Sequence, residues 1–237
     1  MIVDAGVRVQ RRARPFLGTI VEIGVVMGVV ELDASDGIDV AFASIGAIEV
    51  GLSRFAASSE IFRFNAAAAG ECIDIGADTR RVLTAAEELR DASDGLFDVS
   101  LDSGATGWRC DATGLHKLDE GVRLDLGGIG KGYAVDRAVA ALVASGARAG
   151  WVNAGGDLRV FGEMAVPIDL RDEASGGVRR FATLADGAFA TSRLGRGHAS
   201  VAAPECLWAD ALTKIVIARG DASHPLLERF GARAWLH

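Results

Sequence analysis

Asp125-Leu126-Gly127-Gly128-Ile129-Gly130-Lys131-Gly132-Tyr133-Ala134-Val135-Asp136 is the stretch on which the reading of this chain turns. The apolar run Val122–Leu126 before it reads as a short strand. A glycine-rich turn follows, and then a helix from about Gly132 to Ser145. Apolar residues at 134, 135, 138, 139, 142 and 143 recur as pairs every four positions, and Gly146 closes the helix. Strand, glycine turn and helix in that order aim backbone N–H groups and the positive helix end at an anion. Lys131 adds a point charge suited to a diphosphate. No Ser or Thr follows the lysine, so this is not a Walker loop, and the spacing is not GxGxxG either. Two readings stand: a phosphate-holding loop, or a structural strand-to-helix turn.

Outward from this stretch, helices and strands alternate. Residues 16–31 read as a β-hairpin turning near Gly28, and Asp33–Gly37 reads as a turn. Apolar residues at 38, 41, 42, 45, 48 and 52 predict a helix over Ile38–Phe55. Ser58–Asn65 reads as a polar loop and Cys72–Ile75 as a strand. Asp78 reads as the N-cap of a helix ending at Ala92, with Gly95 just beyond it. Further strands are expected at Trp151–Asn153, Leu158–Phe161, Val166–Leu170, Val178–Thr183, Phe189–Thr191 and Arg233–Leu236. Helices are expected from about Leu207 and over His224–Phe230. The class is α+β, with mixed β-sheets flanked by helices in two intertwined lobes and the site between them.

Composition narrows the partners. A chain of 237 residues buries roughly 70–75% of its unfolded surface, enough for a sizeable core. A net charge of −7 repels nucleic-acid backbones, so no nucleic-acid partner is expected. A single bound nucleotide remains compatible, because backbone N–H groups hold phosphate without net positive charge. Glycine supplies 30 residues, nearly twice the usual ~7%, and the excess clusters at 127–132 and 155–156, where backbone can approach a ligand. Cys72, Cys110 and Cys206 have neither disulfide-framework nor zinc-ligand spacing. Gln10-Arg11-Arg12-Ala13-Arg14-Pro15-Phe16-Leu17 has the look of an export signal, but Thr19, Glu22 and Gly24 interrupt the apolar run behind it. A folded strand is expected there, with no membrane span and a cytoplasmic location; export by a signal not present in this chain is the alternative.

Two more segments carry polar groups among apolar residues. In Asn153-Ala154-Gly155-Gly156-Asp157-Leu158-Arg159, two glycines separate two strands, and Asp157 and Arg159 lie on one side of an extended chain. An Asp157–Arg159 ion pair that fixes a bulge and a ligand-facing pair are both open. In Ala209-Asp210-Ala211-Leu212-Thr213-Lys214, a carboxylate sits on an apolar helix with Lys214 at i+4. The readings are a helical ion pair and a carboxylate holding a metal or a phosphate-bound cation.

Together these segments resemble the FAD:protein FMN transferases, the ApbE-like flavin transferase family. The pieces stand in family order: Leu17-Gly18-Thr19, Ser59-Glu60 with Asn65, Ser93-Asp94-Gly95-Leu96-Phe97-Asp98, Asp125–Asp136, Asn153–Arg159, Ala190-Thr191-Ser192 and Ala209–Leu212. They span residue 16 to about 217, implying one such domain over 1–237. The resemblance implies that FAD is the substrate, that Mg²⁺ is bound, and that FMN moves to a threonine hydroxyl of an acceptor protein with release of AMP. It implies flavin contacts at Leu17, Gly18, Thr19, Leu96, Phe97 and Asp98. Phe97 and Tyr133 are candidates to stack on the ring system, with core packing equally open for Phe97. Contacts on the rest of the dinucleotide fall to Asp125, Gly127, Gly128, Lys131, Gly132, Tyr133, Asn153, Gly155, Gly156 and Asp157. The catalytic group implied in this way is Asp210, Lys131, Lys214 and Thr213, and the implied metal ligands are the Ala134 carbonyl, Asp210 and Thr213.

Three departures stand out. Lys214 occupies the position of the family's metal-binding threonine, with Thr213 one residue short of it. The family's His-x-x-Asp-Pro-x-x-Gly loop is missing; only Arg193–Ala199, including His198, precedes an expected strand at Ser200–Pro204. Leu17 replaces a methionine, a mild apolar exchange. The competing readings are hydrolysis of FAD to FMN and AMP, a flavin-binding or trafficking module without turnover, and a nucleotide-dependent phosphotransferase.

Overall fold

The computed structural model describes residues 8–27, 34–171, 176–195 and 197–237. Strands β1 (Val9–Phe16) and β2 (Thr19–Val26) form a hairpin. Its turn is Leu17-Gly18, not Gly28, which lies outside the described residues. The arginine-rich run is thus an edge strand, and charge on an edge discourages pairing with another chain. Val21, Ile23 and Val25 of β2 alternate inward, and Glu22 on the other face meets Arg11 at 2.6 Å.

Helix α1 (Ala34–Leu52) starts earlier than its periodicity predicts and buries Ile38, Phe42, Ile45 and Ile48. Residue 33 of the expected turn lies outside the described residues. The expected loop after it is instead helix α2 (Glu60–Ala66). The Ser59 hydroxyl caps it by accepting the Phe62 N–H at 2.8 Å, while Ile61 and Phe64, three apart, are buried. Strand β3 (Cys72–Ile73) leads to α3 (Ala77–Ala92), whose N-cap is Gly76. Asp78 is not the cap: it lies in the first turn and accepts the Tyr133 hydroxyl. Strands β4 (Trp108–Asp111) and β5 (Gly114–Lys117) pair with β3 into a small three-stranded sheet.

Residues 122–126 do not form the expected strand. The Asn65 side chain takes the partner's place, accepting the Leu124 N–H at 2.7 Å and donating to the Leu124 carbonyl at 2.9 Å. Helix α4 (Gly130–Ala144) follows, then β6 (Gly150–Ala154), β7 (Asp157–Arg171), β8 (Val178–Leu194) and β9 (Gly197–Ala203). Helix α5 (Cys206–Arg219), the short α6 (Leu226–Arg229) and β10 (Arg233–Leu236) complete the described chain.

The large sheet has the order β1-β2-β6-β7-β8-β9-β10. The α+β class is as expected, and every strand pairing among the described residues is antiparallel. Helices α1, α4 and α5 cover one face of the large sheet around one core, joined by α3 and the small sheet. Strand alternation sends Trp151, Leu158, Val160 and Phe189 to a second apolar cluster, while Val152 and Ala154 enter the main core.

Candidate functional site

The site forms where three turns meet the start of α4 and the second turn of α5. Leu17 and Gly18 both have positive φ, 55° and 71°. The leucine is held in this uncommon conformation by its N–H, which donates to Glu49 Oε1 on α1 at 2.8 Å. Val21 pairs with Ala154, which sets the β1–β2 turn beside the β6–β7 turn. There Gly155 and Gly156 also have positive φ, and the Gly156 N–H is accepted by Asn153 Oδ1 at 2.9 Å. Thr19 packs against Gly155 so closely that a Cβ at 155 would meet its side chain.

The third turn, Leu96–Asp98, is brought to the glycine-rich loop by the Asp125 N–H, which donates to the Val99 carbonyl at 2.8 Å. Asp98 itself accepts the Ser100 N–H and hydroxyl. Phe97 is buried behind Gly128, so it is part of the floor rather than an open stacking face. Asp125 Oδ1 accepts the Gly127 N–H at 2.8 Å, and Asp125 Oδ2 meets Arg54 at 3.1 Å.

At the centre lies Asp210, fully buried on α5. Its Oδ2 accepts the Gly132 N–H at 3.1 Å, and its Oδ1 accepts the Lys214 ammonium. The anion at the N-terminus of α4 is therefore the chain's own carboxylate, where the sequence points to a phosphate. Lys131 lies 4.0 Å from Asp210 Oδ1 and is paired directly with Asp157. Lys214 also donates to the Asp210 carbonyl at 3.0 Å and to Ser192 Oγ on β8 at 2.9 Å. Its stem runs beside Gly128, where an added Cβ would lie 3.6 Å from Cε. Two lysines with part-exposed side chains thus share two buried carboxylates next to the glycine turn.

Burial and the Asp210 charge push the Asp157 carboxyl up to about 7, against the pull of Lys131. Its Oδ1 has no hydrogen-bond partner among the described residues. Burial pulls the Lys131 ammonium down, but Asp210 and Asp157 outweigh it and raise the pKa, so Lys131 stays charged at neutral pH.

Asp157 and Arg159 do not pair with each other. Both reach α4, Asp157 to Lys131 and Arg159 to Asp136. Asp136 also accepts the Cys206 N–H at 2.9 Å and the Leu207 N–H at 2.8 Å, capping α5 from a neighbouring helix. At Gly132 the two helices approach closely: a Cβ there would strike the Cys206 carbonyl and come within 2.8 Å of Asp210 Cβ.

Three expected site residues stand apart. Tyr133 is buried and its hydroxyl donates to Asp78 on α3, so its ring belongs to the core. Ala134 is buried inside α4, where its carbonyl serves the helix ladder. Thr213 is buried with its hydroxyl donated to the Asp210 carbonyl at 2.6 Å. Ser192, Asp136, Glu49 and Arg54 were not singled out from sequence as site residues. Ser192 and Asp136 do lie inside the quoted segments, but their partners are distant in the chain.

An open cavity of about 350 Å³ abuts the β6–β7 turn, lined by Gly155, Gly156, Leu158, Ile168, Phe189 and His198 among others. Among the described residues no helix is long and apolar enough to cross a membrane.

No curated protein matches this sequence. Solved structures match the fold closely at low identity. The flavin transferase ApbE from Vibrio cholerae aligns with a TM-score of 0.84 at 18% identity, covering 97% of this chain and 93% of that one. The ApbE protein from Thermotoga maritima gives 0.83 at 20% identity, covering 97% and 94%. The flavinyl transferase ApbE from Pseudomonas stutzeri, in apo form, gives 0.82 at 20% identity, covering 97% and 91%. The ApbE family model matches residues 17–117 and 104–194, which is most of the sequence. With the ordered motifs and the shared fold, this places the chain in the ApbE family.

Proposed function

We propose that this protein binds FAD with its diphosphate between Lys131 and Lys214 and transfers the FMN half to a threonine hydroxyl of an acceptor protein, releasing AMP. The observation that carries the reading is the convergence of two ammonium groups on the buried Asp210 beside Gly128. Family membership and structural relatives that are flavin transferases support the flavin chemistry. Opening a diphosphate needs positive charge fixed near oxygens that gain negative charge, and it needs a positioned nucleophile. Buried Asp210 and Asp157 hold both lysines at one place, with each lysine side chain part-exposed, so that their positive charge acts on incoming phosphate. The acceptor oxygen forms the new P–O bond on the FMN side, the bridging P–O bond breaks, and AMP leaves with that electron pair as the threonine proton is released. Leu17 and Leu96, half-buried at the rim, offer apolar contact for the ring system.

The magnesium implied by the family resemblance does not fit the residues present. Asp210 already has a partner on each oxygen, Thr213 is turned inward, and Ala134 is within the helix. Among the described residues no three His, Cys, Asp or Glu side chains converge as a metal site.

The test is incubation with FAD and a threonine-bearing acceptor, followed by mass spectrometry. An acceptor heavier by one FMN is expected, with AMP released. Free FMN and AMP without acceptor labelling would replace transfer by hydrolysis, and intact retained FAD would leave a binding module.

A further inference from the structure

Lys214 Nζ contacts three oxygens: Asp210 Oδ1, the Asp210 carbonyl at 3.0 Å and Ser192 Oγ at 2.9 Å. A carboxylate, a carbonyl and a hydroxyl are the hard oxygen donors that a magnesium or calcium ion takes. Here they surround an ammonium, which fills its three donor positions with them. A divalent ion at this point would have to displace that ammonium and would place two positive charges instead of one beside Lys131, itself 4.0 Å from the same carboxylate. In this cluster Asp157 Oδ1 is a buried carboxylate oxygen without a partner among the described residues, and it supplies a single ligand. The Lys214 stem passes along Gly128, so the charge is delivered beside the glycine-rich turn.

We propose that the Lys214 ammonium is a built-in substitute for a divalent cation, so that this site binds the FAD diphosphate and neutralises its charge without metal. The inference rests on the flavin-diphosphate reading and adds to it the identity of the neutralising ion.

The test measures FAD affinity by fluorescence quenching or calorimetry in EDTA and in millimolar magnesium, with Mn²⁺ binding followed by electron paramagnetic resonance. The wild-type protein is expected to bind FAD equally in both buffers and to hold no Mn²⁺. Lys214→Thr should lose about tenfold or more in FAD affinity in EDTA, the cost of one charge-assisted contact. Magnesium should restore it, with one Mn²⁺ bound per chain. Lys214→Met should lose the same affinity without rescue by magnesium. Wild-type FAD binding that needs magnesium, or stoichiometric Mn²⁺ uptake by the wild type, would overturn the substitution and leave the flavin reading standing. No FAD binding in either buffer would remove both. The wild-type measurements decide the matter even where a Lys214 variant does not fold.

Discussion

The Gly132 N–H donates to Asp210 Oδ2 at 3.1 Å, joining residues 78 positions apart and placing a carboxylate against the first turn of α4. A helix N-terminus stabilises a nearby negative charge, and the two lysines balance it on the other side. The four groups form one electrostatic unit, and removing any member should disturb the rest.

Asp210→Ala removes the acceptor of Gly132 and the partner of Lys214. Both lysine side chains are part-exposed, and Lys131 keeps Asp157 as a partner, so the stability loss should be modest, on the order of 1–3 kcal/mol. Transfer should fall by about a hundredfold or more, because the lysines lose the group that positions them. Thermal unfolding and the rate of acceptor labelling measure the two effects separately. Labelling at the wild-type rate would refute the role given to Asp210.

Gly132→Ala adds a methyl where the Cys206 carbonyl and Asp210 Cβ already stand. The helices must part, at a cost of about 1–3 kcal/mol. The expected result is a lower melting temperature together with weaker FAD binding. Gly51→Ala is the control, since the nearest atom to an added methyl there is Thr79 Oγ1, 3.8 Å away, and Gly51 is outside the residues assigned to the site.

Leu17 has φ 55°, a conformation that costs a leucine about 1–2 kcal/mol. Leu17→Gly relieves that strain but frees the unfolded chain by about 0.5–1 kcal/mol, so stability should barely move. FAD affinity should drop by about tenfold as an apolar contact is lost. A stability gain with unchanged FAD affinity would show that the leucine has no part in binding.

The folded protein keeps a proton on Asp157 that the unfolded chain has already lost, because burial lifts this carboxyl from 3.8 to about 7. Stability from this group is complete below the ordinary carboxylate range and is lost as pH rises toward 7. Asp157→Asn should flatten that slope. The difference between wild type and variant should change by on the order of 1–3 kcal/mol between pH 4 and pH 8, read from denaturant unfolding. An unchanged slope would show that another group sets it.

How far the fold could be read from the chain depended on element length. The helices 130–144 and 206–219 have enough turns to display an apolar face. The Gly155-Gly156 hairpin announces itself by two glycines between apolar runs. The four-residue strands Trp108–Asp111 and Gly114–Lys117 went unread, because so few residues show little alternation. Helix 60–66 looked like a loop because its two buried residues, Ile61 and Phe64, mark only one turn. The strand Val9–Phe16 hides behind three arginines, which give it no apolar alternation, although it pairs with Thr19–Val26. At the site, the quoted segments located Lys131, Asp157 and Asp210, but the sequence has no signal for side chains that meet across distant elements. Tyr133 adjoins the motif, yet its hydroxyl goes to Asp78, and Ser192 finds Lys214 only through the fold.

Helices α4 and α5 are fastened at three points: the Asp136 cap over residues 206 and 207, the Gly132 approach, and the ion cluster around Asp210. Fasteners of this kind leave little room for the pair to breathe apart below the melting point of the large sheet. Amide protons along the facing turns should therefore exchange only through global opening, while those of the three-stranded sheet, built from strands of two to four residues, exchange sooner. The lysine cradle would persist unchanged until the protein melts, ready-made for its ligand rather than assembled by it.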